Sequence, residues 1–208
     1  MKRTLFKITL VFLQVLCMST FLLSGQESVK CSFSFNYSKD LSDTFSGGTL
    51  LSSEFVVSKS WYGADISYGH FQSHSHFDYQ LIIEEDNQSF HIPFDELSIM
   101  QTGSFSGLIT PIHKNWIRFD ILLGLALAKS KSSCFKSISY TYDLKDKILT
   151  SVDKDYQLVK RTHFGYQTGV NVTFYVTKKI GIQINSRLQD LSNGGTFFFV
   201  GTGLCIRL

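Results

Sequence analysis

The chain contains one cluster of histidines, in the segment YGHFQSHSHFD, and imidazole nitrogens are common ligands of Zn and Cu. His74 and His76 are two residues apart, so on an extended chain both rings lie on one side, and Asp78 continues that parity. His70 precedes them at the end of a segment that reads as a strand. This spacing allows a surface metal site, but segments rich in His and Ser are also typical of solvated loop tips. We favour the loop and predict no metal and no other cofactor.

Serine and histidine also occur together in places, as ester hydrolysis would require. A hydrolase of this kind needs a Ser or Tyr nucleophile, a His base and an orienting carboxylate within hydrogen-bond reach. His70 with Ser73, or His163 with an acidic residue, could take these roles. No catalytic motif matches by spacing, so we predict no catalytic residue. An enzyme acting on lipid A or phospholipid is kept as the alternative function.

A set of charged residues lies inside segments where apolar and polar residues alternate. Within those segments each charged residue shares its parity with small and polar residues such as Gly, Ser, Asn and Gln. Alternation places the two parities on opposite faces of a strand. Facing a closed interior, acidic and basic side chains could neutralise one another, whereas facing lipid each would be costly. The sequence therefore predicts a polar network in the lumen of a barrel, formed by Glu54, Asp65, Arg118, Asp120 and Arg187.

The elements that would position these residues are strands. The clearest is WIRFDILLGLALA, residues 116–128, where Ile, Phe and Leu occupy every second position. The same period predicts strands near 29–38, 50–57, 62–69, 163–176, 180–188 and 196–208. The stretch 97–110 alternates poorly and is assigned a strand because the count and the topology need one there, which gives eight. Pro93 and Pro111 are expected outside strands, because proline cannot donate to a sheet ladder.

The connections between these strands alternate in length. Short ones are predicted at 58–60, 111–115 and 177–179, and longer polar ones at 39–48, 73–96, 129–161 and 189–195. An even strand count with short turns on one side and long loops on the other is typical of a bacterial outer-membrane barrel. We therefore predict an all-β fold, an eight-stranded antiparallel up-and-down transmembrane β-barrel with short periplasmic turns and long external loops.

Side-chain volume indicates which face of the barrel is outside. The apolar parity holds roughly forty side chains, and eight strands enclose a space that side chains only just fill. The set rich in Gly, Ser, Asn and Gln fits that space, so the apolar set is expected to face lipid. The rival interpretation is a soluble secreted ligand-binding barrel with the apolar set inside.

The N-terminus has the features of a secretory signal peptide. Lys2, Arg3 and Lys7 precede an apolar stretch from Ile8 to Leu23, and Ser24 and Gly25 follow. We predict a cleaved signal peptide over 1–25 and a barrel domain over 26–208. Removing the three basic residues of the leader from the 20 in the chain leaves 17, which equals the number of Asp and Glu. A nucleic-acid partner therefore has no support from composition.

Four segments resemble the small eight-stranded outer-membrane barrels of the OmpA and OmpX type, and the outer-membrane β-barrel family common in Bacteroidetes-like bacteria. They are VVSKSWYGADISYG, NWIRFDILLGLALAK, FYVTKKIGIQINSRL and FFFVGTGLCIRL, and the resemblance covers residues 28–208. It implies a site in the outer membrane of a Gram-negative cell and contact with lipid and lipopolysaccharide. Family members commonly end on an aromatic residue that the barrel-assembly machinery reads. Here Leu208 takes that place, and Leu204 and Ile206 keep the apolar spacing of a terminal-strand assembly signal.

The two longest connections differ in charge. Residues 73–96 carry six Asp or Glu and no Lys or Arg, whereas residues 129–161 carry eight Lys or Arg and four Asp. These segments could pair with each other, or the basic one could bind lipopolysaccharide phosphates, but an ordinary solvated surface is favoured. SISYTYDL and KILTSV could form a hairpin above the membrane and offer an edge to a partner strand. The predicted function is a structural or loop-mediated interaction role, with a possible protein partner.

Overall fold

The computed structural model describes residues 29–42, 47–84 and 87–208. The predicted signal peptide, residues 1–25, lies outside the described residues. The described part forms eight β-strands, β1 to β8 in chain order: Lys30–Asp40, Thr49–Lys59, Tyr62–Ile83, Gln88–His113, Ile117–Asp143, Ile148–Tyr175, Ile180–Leu191 and Gly195–Arg207. No helix in this part is long and apolar enough to cross a membrane.

The strands close into one barrel in chain order, and every neighbouring pair is antiparallel. The last strand closes it, because β8 pairs with β1 from Ser32 opposite Arg207 to Asp40 opposite Phe199. Just beyond the ladder, the Leu208 amide donates to the Cys31 carbonyl at 2.9 Å. The predicted eight-stranded up-and-down barrel is confirmed.

The barrel wall has its polar face inside, as predicted. Asp65 and Ser106 are 0 % exposed in the lumen, whereas Leu123 on the outer face is 69 % exposed. Aromatic side chains lie near both ends of the outer apolar surface: Trp61, Tyr62, Trp116 and Phe174 near the short turns, and Tyr37, Tyr68, Phe164, Tyr166 and Phe198 near the other end. Such girdles are typical of the two interfaces of a membrane barrel. A soluble barrel would present this apolar surface to water.

The narrow lumen requires glycine where a strand lies against a neighbouring side chain. Gly203 in β8 is opposite Asn36 in β1. A Cβ atom at Gly203 would lie 2.0 Å from Asn36 Oδ1 and 2.2 Å from the Phe35 carbonyl oxygen. The glycine therefore leaves room for the Asn36 side chain, which donates to Glu54 on the neighbouring strand β2.

The strands differ strongly in length, which corrects the prediction of two long loops. β1, β2, β7 and β8 have 11 to 13 residues, but β3 to β6 have 22 to 28. Most of 73–96 and 129–161 is therefore strand, and of the described residues in these segments only Glu84, Asn87 and 144–147 lie outside it. Asn87 and Lys147 have positive φ values of 52° and 55°, which suits tight hairpin turns. These extensions lack clear alternation because solvent reaches both of their faces along much of their length.

The fourth strand exists, but it contains both prolines that were expected outside strands. Pro111 lies where the β4–β5 register shifts between Ile109 and Ile112, and such an irregularity tolerates a missing amide hydrogen. Pro93 lies opposite Asp78, beyond Leu97 where the β4–β5 pairing ends. There β4 is an edge strand, the other position that proline tolerates.

We expect Leu123→Arg to reduce the free energy of folding into a bilayer by about 2–4 kcal/mol, because Leu123 lies near the middle of the outer apolar surface. Equilibrium folding into phospholipid vesicles, followed against urea concentration, measures this. Leu158→Arg is the matched control, since Leu158 is also outward and 62 % exposed but lies beyond the apolar surface. Equal losses in the two variants would mean that the face around Leu123 does not contact lipid.

Candidate functional site in the lumen and the projecting hairpins

Glu54 is the centre of a hydrogen-bonded group in the lumen. Its Oε1 atom lies 2.6 Å from Arg187 Nη2 and also accepts from Asn36 Nδ2. Its Oε2 atom accepts from Asn171 Nδ2 and Gln183 Nε2, each at 3.2 Å. The donors come from β1, β6 and β7, so one carboxylate on β2 connects strands across the lumen.

Two more of the predicted lumen residues form a separate pair. Arg118 Nε lies 2.8 Å from Asp120 Oδ1, and Thr110 Oγ1 donates to the same oxygen at 2.6 Å. Asp65 belongs to the Glu54 group, since its Oδ2 lies 4.0 Å from Arg187 Nη2. Neither carboxylate oxygen of Asp65 has a hydrogen-bond partner within the described residues. All five predicted residues are thus buried in the lumen, in two groups rather than one.

Apolar side chains close the lumen beyond these polar groups. Toward the end away from the short turns, Phe71 packs edge-on against Phe197 and Phe199, with ring centroids 5.4 and 5.7 Å apart. They belong to a cluster completed by Leu50, Met100, Ala126, Ala128 and Leu191. A second cluster, Val56, Leu108 and Leu122, lies nearer the short turns. An eight-stranded interior is just wide enough for side chains to fill, and these two clusters and the Glu54 group fill parts of it.

Beyond the closed barrel, the extended strands form a structure we call the hairpin pair, residues 73–84 and 87–96 with residues 134–158. Pairing of β3 with β2 ends at Gln72, pairing of β4 with β5 ends at Leu97, and pairing of β6 with β7 ends at Gly165. The two hairpins then continue separately. From Ser133 to the tip at Asp143, β5 rises by roughly 30 Å.

The hairpin pair has its own apolar core. Leu81, Ile83 and Ile92 are buried, and Phe90, Ile138, Tyr142, Leu149 and Val152 pack against them. Nearer the barrel, the Phe94 and Phe135 rings lie 4.6 Å apart, and Lys154 Nζ donates to the Pro93 carbonyl across the two hairpins. These contacts hold the hairpins against each other.

Large apolar side chains remain exposed on the hairpin pair, beyond the girdle at that end of the barrel: Phe77, Tyr79, Ile82, Tyr140, Leu144, Ile148, Tyr156 and Leu158. They are 39 to 62 % exposed. An exposed apolar surface outside the lipid zone is typical of a protein interaction site.

The histidine cluster lies on the outer face of this projection. His76 Nδ1 and His74 Nε2 lie 2.8 and 3.2 Å from the same oxygen, Asp95 Oδ1, across the β3–β4 pair. The hydrogen bond from His76 lowers the pKa of the Asp95 carboxyl, and the charge of His74 acts in the same direction. His70 lies farther down, opposite Gln101, and Asp78 is opposite Pro93. Within the described residues, no group of three or more His, Cys, Asp or Glu has a metal-binding arrangement.

His163 lies in the mouth of the barrel, and its partner was not among the predicted ones. Its Nδ1 lies 3.0 Å from the Ser192 carbonyl oxygen, which can only accept, so Nδ1 carries the proton. Its Nε2 lies 2.8 Å from Ser130 Oγ and accepts from that hydroxyl when the imidazole is neutral. Ser130 is 33 residues away in the chain, and only the β5–β6 register brings it close to His163.

The Ser130–His163 pair borders a cavity of about 190 Å³ with an apolar floor that includes Phe71, Met100 and Phe197. Glu96 and Arg161 also line it, but the contacts of His163 are with Ser130 and Ser192 rather than with a carboxylate. The other predicted pair does not form, because His70 faces outward and Ser73 is buried inside.

Comparison with known proteins shows the fold. No family model and no curated protein matches this chain. The structure of a major outer membrane protein from Thermus thermophilus is similar, at 12 % identity and a TM-score of 0.55. The alignment covers 87 % of this chain and 100 % of the Thermus chain. The N-terminal β-barrel domain of Pseudomonas aeruginosa OprF is similar at 10 % identity and a TM-score of 0.52, and the alignment covers 88 % of this chain and 100 % of that domain. The chain therefore has the fold of small eight-stranded outer-membrane β-barrels.

We expect Glu54→Gln to destabilise the barrel by about 3–5 kcal/mol, because it leaves Arg187 buried without its closest anion. The urea midpoint of unfolding from vesicles measures this loss. Glu54→Gln combined with Arg187→Met should recover part of it, since the uncompensated charge is then gone. A double variant less stable than both single variants would show that the two side chains contribute independently.

Proposed function

We propose that this chain is an outer-membrane barrel, exported with a cleaved signal peptide, that holds the hairpin pair outside the cell to bind a protein partner. The observation that carries the proposal is the hairpin pair itself, which has its own apolar core and rises from one end of a closed barrel. The polar lumen and the aromatic girdles support a place in lipid, and the similarity of fold to outer-membrane barrels supports the outer membrane.

The barrel acts as an anchor in this proposal. The phenyl cluster of Phe71, Phe197 and Phe199 fills one part of the lumen, and the Glu54–Arg187 group fills another. Side chains that fill an eight-stranded interior leave no room for a permeating solute. A rigid wall of this kind fixes the direction in which the four extended strands leave the membrane.

The hairpin pair suits protein binding because its exposed aromatic side chains are held in place. Tyr79 is 40 % exposed and Tyr156 is 39 % exposed, and both lie near the Phe135 ring, at centroid distances of 6.0 and 6.3 Å. Tyrosine is enriched among residues that dominate binding energy. A partner that binds a preordered surface loses less conformational entropy than one that must order a loop.

Assembly into the membrane is proposed to depend on the outer face of the last strand. Leu204 is 47 % exposed and Leu208 is 73 % exposed, and Ile206 lies between them on the same face. In the family that the chain resembles, this spacing ends on an aromatic residue that the barrel-assembly machinery reads. Leu204, Ile206 and Leu208 would supply the apolar part of that signal.

The Ser130–His163 hydrogen bond is the observation that favours the alternative of a lipid-acting enzyme, because it joins a hydroxyl to an imidazole nitrogen. Under the proposal made here, Ser130→Ala and His163→Ala leave the lipid A and phospholipid species of the envelope unchanged. New or missing lipid species in both variants would favour the enzyme.

Site-specific labelling of intact cells tests the proposed orientation. In a Cys134→Ser background, Ser151→Cys on the hairpin pair should react with a membrane-impermeant maleimide. Lys178→Cys, in the short turn at the opposite end, should react only after the outer membrane is permeabilised. Labelling of Lys178→Cys but not Ser151→Cys in intact cells would contradict the proposal, since the hairpins would then lie in the periplasm.

A further inference from the structure

Three lysines form a group on the outer face where the barrel passes into the hairpin pair. Lys129 and Lys131 belong to β5 and Lys160 to β6, and all three side chains are exposed. Lys131 is directly opposite Lys160, and Lys129 is opposite Thr162. Directly opposed residues have Cβ atoms about 5 Å apart, and the next residue on the same face is roughly 7 Å away. We call these three residues the lysine triad.

The lysine triad carries positive charge that no ion pair with a described residue neutralises. None of the three makes an ion pair with a described residue, whereas Lys136, farther up β5, lies 2.9 Å from Asp155. The outer face around the triad also holds Ile99, Gln101 and Thr162, none of which is acidic. Ser130 and Arg161 border the same surface, but they belong to the inner face, where they line the cavity beside His163. Like charges directly opposite on a sheet are destabilising, so an external anion at this position would stabilise the fold.

The position of the lysine triad relative to the apolar surface indicates where that anion lies. On β5, Leu125 and Leu127 precede Lys129 on the same outer face, and both are more than half exposed. On β6, Phe164 is opposite Leu127 and 58 % exposed, and Lys160 lies four residues away on the same face. The ammonium groups therefore stand at the level where a lipid surrounding the barrel would place its headgroup.

We propose that the lysine triad binds the phosphate groups of a lipid headgroup, and that acyl chains of the same lipid pack on Leu125, Leu127 and Phe164. This inference rests on the proposed place of the barrel in the outer membrane. Three cations within about 7 Å suit a headgroup with more than one phosphate rather than a singly charged one. The lysine stems can lie along the apolar wall while their ammonium groups reach the phosphates.

The test compares two variants with equal loss of charge, K129Q/K131Q/K160Q at the lysine triad and K114Q/K178Q/K179Q at the opposite end. Wild type and both variants are reconstituted in phosphatidylcholine vesicles and titrated with bisphosphorylated lipid A, with its dephosphorylated form as the comparison ligand. Each lysine near a charged surface contributes enough that loss of three weakens binding by on the order of 100-fold. We expect that loss only in the lysine triad variant and only for the phosphorylated lipid.

Several results would overturn the inference. They are equal binding by wild type and the lysine triad variant, equal losses in the two variants, and equal affinity for the dephosphorylated lipid. Displacement of lipid A by millimolar inorganic phosphate would identify free phosphate as the ligand instead. Failure of the wild type to insert into phosphatidylcholine vesicles would contradict the proposed function, whereas insertion without selective lipid A binding would contradict the lysine triad alone.

Discussion

A sheet that crosses lipid can have no free edge there, and in this chain the pairing of β8 with β1 meets that requirement. The rest of the structure depends on this closure. Eight strands closed on themselves leave a lumen only as wide as side chains can fill, so its contents must be compact and mutually satisfied. Gly203 shows the constraint directly, since only the absence of a Cβ lets Asn36 lie across it. Asn36 then reaches Glu54, which also holds Arg187 on the opposite part of the wall.

The requirement for closure ends where the strands extend beyond the outer apolar surface, and there the single barrel is replaced by two separate hairpins. Beyond Leu97 and Ser133 the β4–β5 ladder stops, so water can satisfy the backbone groups that lipid could not. The four strands continue as two hairpins and gain a new core around Leu81, Ile83 and Ile92. The lysine triad lies at the boundary between the outer apolar surface of the barrel and the hydrated hairpin pair.

Alternation in the sequence predicted most of the barrel wall, because most of its strands have one apolar and one polar face. The stretch 97–110 alternates poorly and was placed by the strand count and the topology instead. The segment 116–128 shows this pattern without interruption, and the five charged lumen residues follow from it. The β5–β6 hairpin at residues 137–152 was indicated by the sequence and is present. The β3–β4 hairpin was missed because its faces are mixed: Ile83 is buried, while Ile82 next to it is 56 % exposed. The contact of Ser130 with His163 could not be predicted either, since it depends on the β5–β6 register over 33 residues of intervening chain.

The mobility of the native protein on a denaturing gel, with and without boiling, tests the closed membrane barrel most directly. In such a barrel every strand of the wall is hydrogen-bonded on both sides, so detergent finds no edge at which to begin unfolding it. The account predicts that the protein fractionates with the outer membrane and changes its mobility on boiling. A soluble protein whose mobility is the same before and after boiling would contradict the account, because its apolar surface would then have to be covered in another way.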